Sequence, residues 1–434
     1  MDLVKEKIES GDIHLFSVLS QNFLFDPTTH SVFSIPSTSL SDLSEEIEQA
    51  IQTGFFCRKE KTEFEDNRVF KSLCLMITHQ CNFSCSYCFE KAKGNNQKEN
   101  VMSLDIGKKS LELISELSLN RTNIEVDFFG GEPLLYFDTL RDIVYYGREL
   151  EKKFGKKFWF SLTTNASLLN QDMINFFHVE NISLILSLDG DKNSHDRFRT
   201  YHDGGGTYHD TMNGIQQIIQ SNHEGYYIRG TYTKETPDFP EQVLFLQEQG
   251  IQQISFEPVV SKDPGIGFNQ EDLSDIRRKY EKLAITYLTQ RKTNPKLRFY
   301  HFEVNLEEGS CLQKLMTSCG AGVEYLSVSP SGILYPCHQF DGNPSYELGN
   351  IEEGIKYADL VERFRHLTQV SNKDKCNVCW ARTLCGGGCL ANNLSMNGNI
   401  ENTYDLGCEI QKIRLEIALY VQVKLKELCL NETP

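Results

Sequence analysis

Cys81, Cys85 and Cys88 stand together in "CNFSCSYC". Three thiols at this spacing can be buried as small hydrophobes, complete a zinc site with help from elsewhere, or hold three irons of a 4Fe-4S cluster whose fourth iron stays open to a chelating substrate. Zinc normally requires a fourth protein ligand, so the spacing favours a cluster. A second set, Cys311, Cys319, Cys337, Cys376, Cys379, Cys385, Cys389 and Cys408, crowds the last third of the chain. Cys57, Cys74 and Cys429 stand apart and read as buried apolar groups or incidental thiols.

The elements that must position these groups follow from periodicity. Between residues 71 and 290, β-rich runs (71–78, 123–130, 157–165, 183–190, 225–233 and 252–260) alternate with amphipathic segments such as "SLDIGKKSLELISELS" and "FDTLRDIVYYGRELEKKF". Six strand-helix units predict a parallel α/β sheet with right-handed crossovers, two short of a closed eightfold barrel, with ligands at the strand ends. The cysteine triplet then falls on the loop after the first of these strands. Before residue 70, "IHLFSVLSQNFLFDPTTHSVFSI" predicts a hairpin turning at "DPTT", and "STSLSDLSEEIEQAIQTG" predicts a helix. After about residue 300 the Cys- and Gly-rich chain predicts a region organised by metal, closed by a helix over 410–429. The expected domains are 1–66, 67–295 and 296–434.

Composition narrows the function classes. The 434 residues are 39% hydrophobic and 24% charged, as in ordinary globular proteins. With 44 Lys and Arg against 60 Asp and Glu, the net charge of −16 opposes nucleic acid as a partner. No apolar run reaches the ~18 residues of a membrane span, and the charged start "MDLVKEKIESGD" lacks a signal-peptide core. The chain therefore reads as cytoplasmic, where the 14 cysteines suit metal ligation or catalysis better than a disulfide framework.

Cys-x3-Cys-x2-Cys after a first strand, with Tyr87 before the last cysteine, resembles the radical S-adenosylmethionine (SAM) superfamily. The resemblance implies a partial (β/α)6 barrel in which the open iron binds the amino and carboxylate groups of SAM. An electron from the cluster then yields methionine and a 5'-deoxyadenosyl radical that abstracts an inert hydrogen. "GGEP" is similar to the family's motif for the SAM amino group, implicating Gly130, Gly131 and Glu132. "TTNA" and "SLDG" are similar to positions bordering the methionine and ribose of SAM, implicating Asn165, Ser187 and Asp189. Arg199 in "HDRFRTY" would pair with the methionine carboxylate.

The later cysteines resemble the SPASM extension, which implies two auxiliary 4Fe-4S clusters and three clusters in all. Cys319, Cys337 and Cys389 would belong to the first, with Cys311 as its candidate fourth ligand. Cys376, Cys379, Cys385 and Cys408 would hold the second. A zinc ribbon is the alternative for 376–389. The N-terminal segment looks like the recognition element of maturases of ribosomally made peptides, which takes up a precursor's leader as an added strand. "LYPCHQFDG" is similar to maturases that form thioether crosslinks; sulfatase-maturing relatives carry an Asp base where this chain has His338, a weak catalytic candidate. The resulting expectation is a peptide maturase joining a cysteine sulfur to a carbon of another residue, served by a donor such as flavodoxin or ferredoxin. C–C crosslinking or another radical peptide modification is the alternative, and a non-catalytic iron-sulfur sensor a further one.

Overall fold

A computed structural model of the chain describes residues 2–35, 47–53, 66–90, 101–236, 238–304, 306 and 317–431. It divides into two compact units: residues 1–66, 268–319 and 366–434 in one, and 67–267 with 320–365 in the other. These units differ from three consecutive segments, because 320–365 leaves the cysteine-rich third to join the parallel sheet.

In the sheet-bearing unit, β4 (Ser72–Thr78), β5 (Asn123–Gly130), β6 (Lys157–Thr164), β7 (Ser183–Ser187), β8 (Tyr226–Tyr232) and β9 (Gln253–Pro258) run parallel in chain order. Their two faces differ. Ile124, Val126 and Phe128 on β5 are fully buried, as are Leu184 and Leu186 on β7. On the opposite face Asp127 registers with Ser161 of β6, and Ser187 of β7 with Arg229 of β8, and these positions are half-buried or exposed. This period of two separates a helix-covered face from an open polar one.

Helix Leu104–Leu117 begins at Ser103, whose side chain accepts from the Ile106 amide at 3.2 Å, and it buries Leu111 and Ile114. Helix Phe137–Phe154 buries Leu140, Ile143, Val144 and Leu150 and stops at Gly155, in the left-handed region with φ 65°. A Cβ on Gly107 would lie 2.3 Å from Ile143 Cδ1, so glycine sets how closely these two helices approach.

The sheet also extends beyond β4. β10 (Tyr325–Val328) pairs parallel with β4, followed by antiparallel β11 (Ile333–Tyr335), β12 (Gly349–Asn350) and β13 (Gly354–Ile355). Every residue of "SLCLMIT" in β4 is buried, so both faces of this strand are covered.

In the other unit, β1 (His14–Val18), β2 (Gln21–Asp26) and β3 (Ser31–Ile35) form an antiparallel meander. The expected single hairpin is therefore corrected to three strands. "DPTT" does turn between β2 and β3, with Asp26 accepting from the Thr28 amide and the Thr29 hydroxyl. An additional turn at Leu19 and Ser20 has φ 50° and 62°. Residues 47–52 are helical, while the rest of the helix expected over 37–54 lies outside the described residues. The meander is built into the cysteine-rich chain: His14 stacks on Trp380 at 3.8 Å, and Asp12 pairs with Arg382 at 2.9 Å, both side chains nearly fully buried. The closing helix runs Asp405–Asn431, beginning early enough to include Cys408.

Candidate active site at the strand ends

The loop after β4 carries Cys81, Cys85 and Cys88, all half-buried. Cys81 Sγ accepts from the Phe83 amide at 3.3 Å and from Asn165 Nδ2 at 3.9 Å. His202 Nε2 donates to the Cys81 carbonyl at 2.9 Å. Burial pushes the Cys81 thiol up to about 12, and Glu132, Cys85 and Cys88 add to the rise. A thiolate there requires a compensating cation, which an iron-sulfur cluster supplies, and N–H donors to the sulfur suit such ligands.

The loop after β5 crosses this one in contact. Gly131 donates to the Thr78 carbonyl at 2.6 Å and Glu132 to the Gln80 carbonyl at 2.8 Å. A Cβ on Gly131 would sit 2.1 Å from the Gln80 oxygen, and one on Gly130, at φ 143°, 2.3 Å from the Thr78 oxygen. Both glycines are thus required by a backbone crossing. Glu132 is 1% exposed and accepts from Leu134 N at 3.0 Å, Thr164 Oγ1 at 2.7 Å and Asn165 N at 2.8 Å. Burial raises its carboxyl to about 7 against the pull of these bonds. A carboxylate offers roughly four acceptor positions, so about one remains for an ammonium.

The ends of β6 and β7 complete the arrangement. Asn165 also donates to Asn82 Oδ1 at 2.9 Å, while Ser187 closes β7 on the polar face. Asp189, 1% exposed, receives Arg199 Nε at 3.0 Å and an Arg199 terminal nitrogen at 3.1 Å, the Tyr87 hydroxyl, and the Thr231 amide at 2.8 Å. The guanidinium lies over the Tyr87 ring at 5.5 Å. Arg199, expected on the cofactor's carboxylate, thus gives its fork to Asp189.

His195 was not singled out by any motif. It is fully buried, its Nδ1 accepting from the Asp189 amide at 3.3 Å and its Nε2 meeting Thr207 Oγ1 at 3.0 Å, which donates to the Arg199 carbonyl at 2.7 Å. That chain assigns the neutral Nε2-H tautomer. His338 packs against Phe129 at 4.5 Å and Phe89 at 5.7 Å between ring centroids, beside the residues flanking "GGEP" and the cysteine triplet, and its Nδ1 meets the Tyr325 hydroxyl at 3.4 Å.

Residues 75–246 match the Radical SAM superfamily. The chain carries a radical SAM domain. Among relatives, the radical SAM cyclopropyl synthase TigE of Paramaledivibacter caminithermalis is 22% identical over 407 residues, covering 86% of this chain and 82% of TigE. Among solved structures, anSMEcpe with bound AdoMet (SAM) superposes with a TM-score of 0.66 at 19% identity, covering 82% of this chain and 98% of that one. SuiB of Streptococcus suis bound to precursor peptide SuiA gives a TM-score of 0.54 at 18% identity, covering 92% and 98%. The fold shared with these structures is the radical SAM sheet with a SPASM-type C-terminal region.

In that region Cys376, Cys379, Cys385 and Cys408 lie within electrostatic reach of one another, and burial, with the neighbouring thiols adding to it, pushes the Cys408 thiol up to about 11. Cys389 likewise senses Cys319. Lys373 was missed by sequence reading. It is 6% exposed, donates to the Gly387 carbonyl at 2.7 Å, and is drawn by Cys376, Cys385, Cys319 and Cys389 even as burial lowers its pKa. Cys337 belongs to the sheet-bearing unit, where its Sγ accepts from the Gln339 amide at 3.3 Å. Cys311 and Cys57 lie outside the described residues, as does the Cys429 side chain; Cys74 is fully buried in β4. No helix among the described residues is long and apolar enough to cross a membrane.

Proposed function

We propose that this enzyme matures a ribosomally made precursor peptide by joining a cysteine sulfur to a carbon of another residue. The observation that carries the peptide substrate is the outer edge of β3. Among the described residues this strand pairs only with β2, and Phe33 is 45% exposed on it. A leader segment adding there gains main-chain hydrogen bonds as well as a side-chain contact. SuiB, similar in fold, is a protein solved with a bound precursor peptide, which favours the same class of substrate here.

The residues at the strand ends fit the implied groups. Cys81, Cys85 and Cys88 would hold a 4Fe-4S cluster; Glu132, Asn165 and Ser187 would border SAM. When bound, cluster and SAM together supply a radical strong enough to abstract an unactivated hydrogen. The chain's part is to orient and exclude. Glu132 offers its remaining lone pair to an ammonium, and Asn165 fixes Cys81 against the end of β6. The Tyr87, Asp189 and Arg199 lock holds the end of β7 rigid. Two auxiliary clusters, on Cys376, Cys379, Cys385 and Cys408 and on Cys319, Cys337, Cys389 and Cys311, would relay electrons, with a flavodoxin or ferredoxin as the outside donor. Thioether formation is favoured over formylglycine formation by His338, which stands where an acidic base is expected for the latter.

The test is incubation of the reconstituted enzyme with SAM, a reductant and a cysteine-containing precursor, followed by thiol alkylation and fragmentation. A thioether product loses two hydrogens and one alkylatable thiol. A product lighter by two hydrogens with every thiol still alkylated would instead establish a C–C crosslink.

A further inference from the structure

His79, Glu90 and Asp341 come together outside the residues assigned to SAM or to the clusters. Each offers one ligand atom, and the three atoms lie within 4.8 Å of one another. His79 directly follows β4, Glu90 lies two residues after Cys88, and Asp341 lies in the stretch after Cys337. The Asp341 side chain is 1% exposed; its Oδ2 is 2.6 Å from His79 Nε2. Its Oδ1 is buried and accepts no hydrogen bond from the described residues.

A carboxylate oxygen withdrawn from water without a donor is costly. A cation placed among the three groups resolves that deficit. The donor set, one imidazole nitrogen with carboxylate oxygens, suits a divalent transition ion such as zinc, whose nitrogen and oxygen ligands lie about 2.0–2.2 Å away. We propose that His79, Glu90 and Asp341 form a divalent-cation site, separate from the iron-sulfur ligands, that ties residues on either side of the cysteine triplet to the stretch after Cys337. The ion would restrain the segment carrying His338 against the loop of Cys81, Cys85 and Cys88.

The test uses the anaerobically reconstituted full chain, equilibrated with Zn2+, freed of excess, and assayed for zinc and iron together by mass spectrometry. The expected result is one retained zinc per chain, with X-ray absorption showing only nitrogen and oxygen neighbours. Asp341→Asn and Glu90→Gln should each lower zinc retention at least tenfold with iron content unchanged. Two near-isosteric variants at different points of the chain guard against a folding defect in either one, and unchanged iron reports an intact fold. No retained zinc in the wild type, a sulfur shell at about 2.3 Å, or equal retention by both variants would overturn the site.

Discussion

Buried carboxylates do much of the positioning at the strand ends, and each is committed to partners from a neighbouring strand. Asp189 and Arg199 form a buried bidentate pair at 3.0 and 3.1 Å. Asp189→Asn would strand the guanidinium, at a cost of about 3–5 kcal/mol in urea unfolding. The double variant Asp189→Asn with Arg199→Met should recover part of that loss, and a loss in the single variant no larger than an exposed pair's would contradict the buried lock. His195 gives a pH signature. Burial lowers its pKa from 6.5 to about 4, despite the opposing pull of Asp189. Between those values the unfolded chain binds more protons than the folded one, so stability rises with pH through this window and is lost as pH falls from about 6.5 toward 4. His195→Gln should flatten that part of the profile, as read from unfolding midpoints at successive pH values. Tyr87, Asp189 and Arg199 were each legible from their motifs, but not their engagement with one another. That depends on a strand, a loop and a helix end meeting in space. His195 stands in "HDRFRTY" beside Arg199 without being marked by it, and His202 and Lys373 belong to no motif; only their burial and partners mark them.

The elements follow their sequence patterns where alternation is strong. β5 to β7 alternate between the helix-covered face and the open polar face, so strands and strand-end loops could be read together. β4 lacks that alternation because both of its faces are covered, which hides its strand period in the sequence. The turn at Leu19 and Ser20 was illegible because neither residue is among those that favour positive φ. The β3 edge carries its own prediction. Neighbouring residues in a strand point their amides to opposite sides, so of Val32→Pro and Phe33→Pro one removes an outward donor while sparing the ladder to β2. That variant should bind leader peptide about fivefold more weakly, from one hydrogen bond of roughly 1 kcal/mol, with unfolding unchanged. Calorimetric titration checks this, and undiminished affinity in both variants would exclude strand addition at β3.

At the scale of the whole molecule, the N-terminal meander and the cysteine-rich chain are one compact unit, joined by His14 on Trp380 and Asp12 with Arg382. These partners lie hundreds of residues apart, which no local pattern reveals. Removing residues 1–35 would expose Trp380 and take from Arg382 its bonds to Asp12 and the Gly11 carbonyl, close to Cys379. The expected result is loss of about four irons from the Cys376 group in addition to lost peptide binding; full iron retention would show the meander to be a detachable accessory. The central claim, that the crossing loops at the ends of β4 to β7 generate the radical, is tested most directly by replacing Cys81, Cys85 and Cys88 together with Ala. After anaerobic reconstitution, this variant should lack about four irons, retain those of the cysteine-rich region, and release no 5'-deoxyadenosine from SAM under reducing conditions that yield it from the wild type. Continued release of 5'-deoxyadenosine by the triple variant would contradict the account.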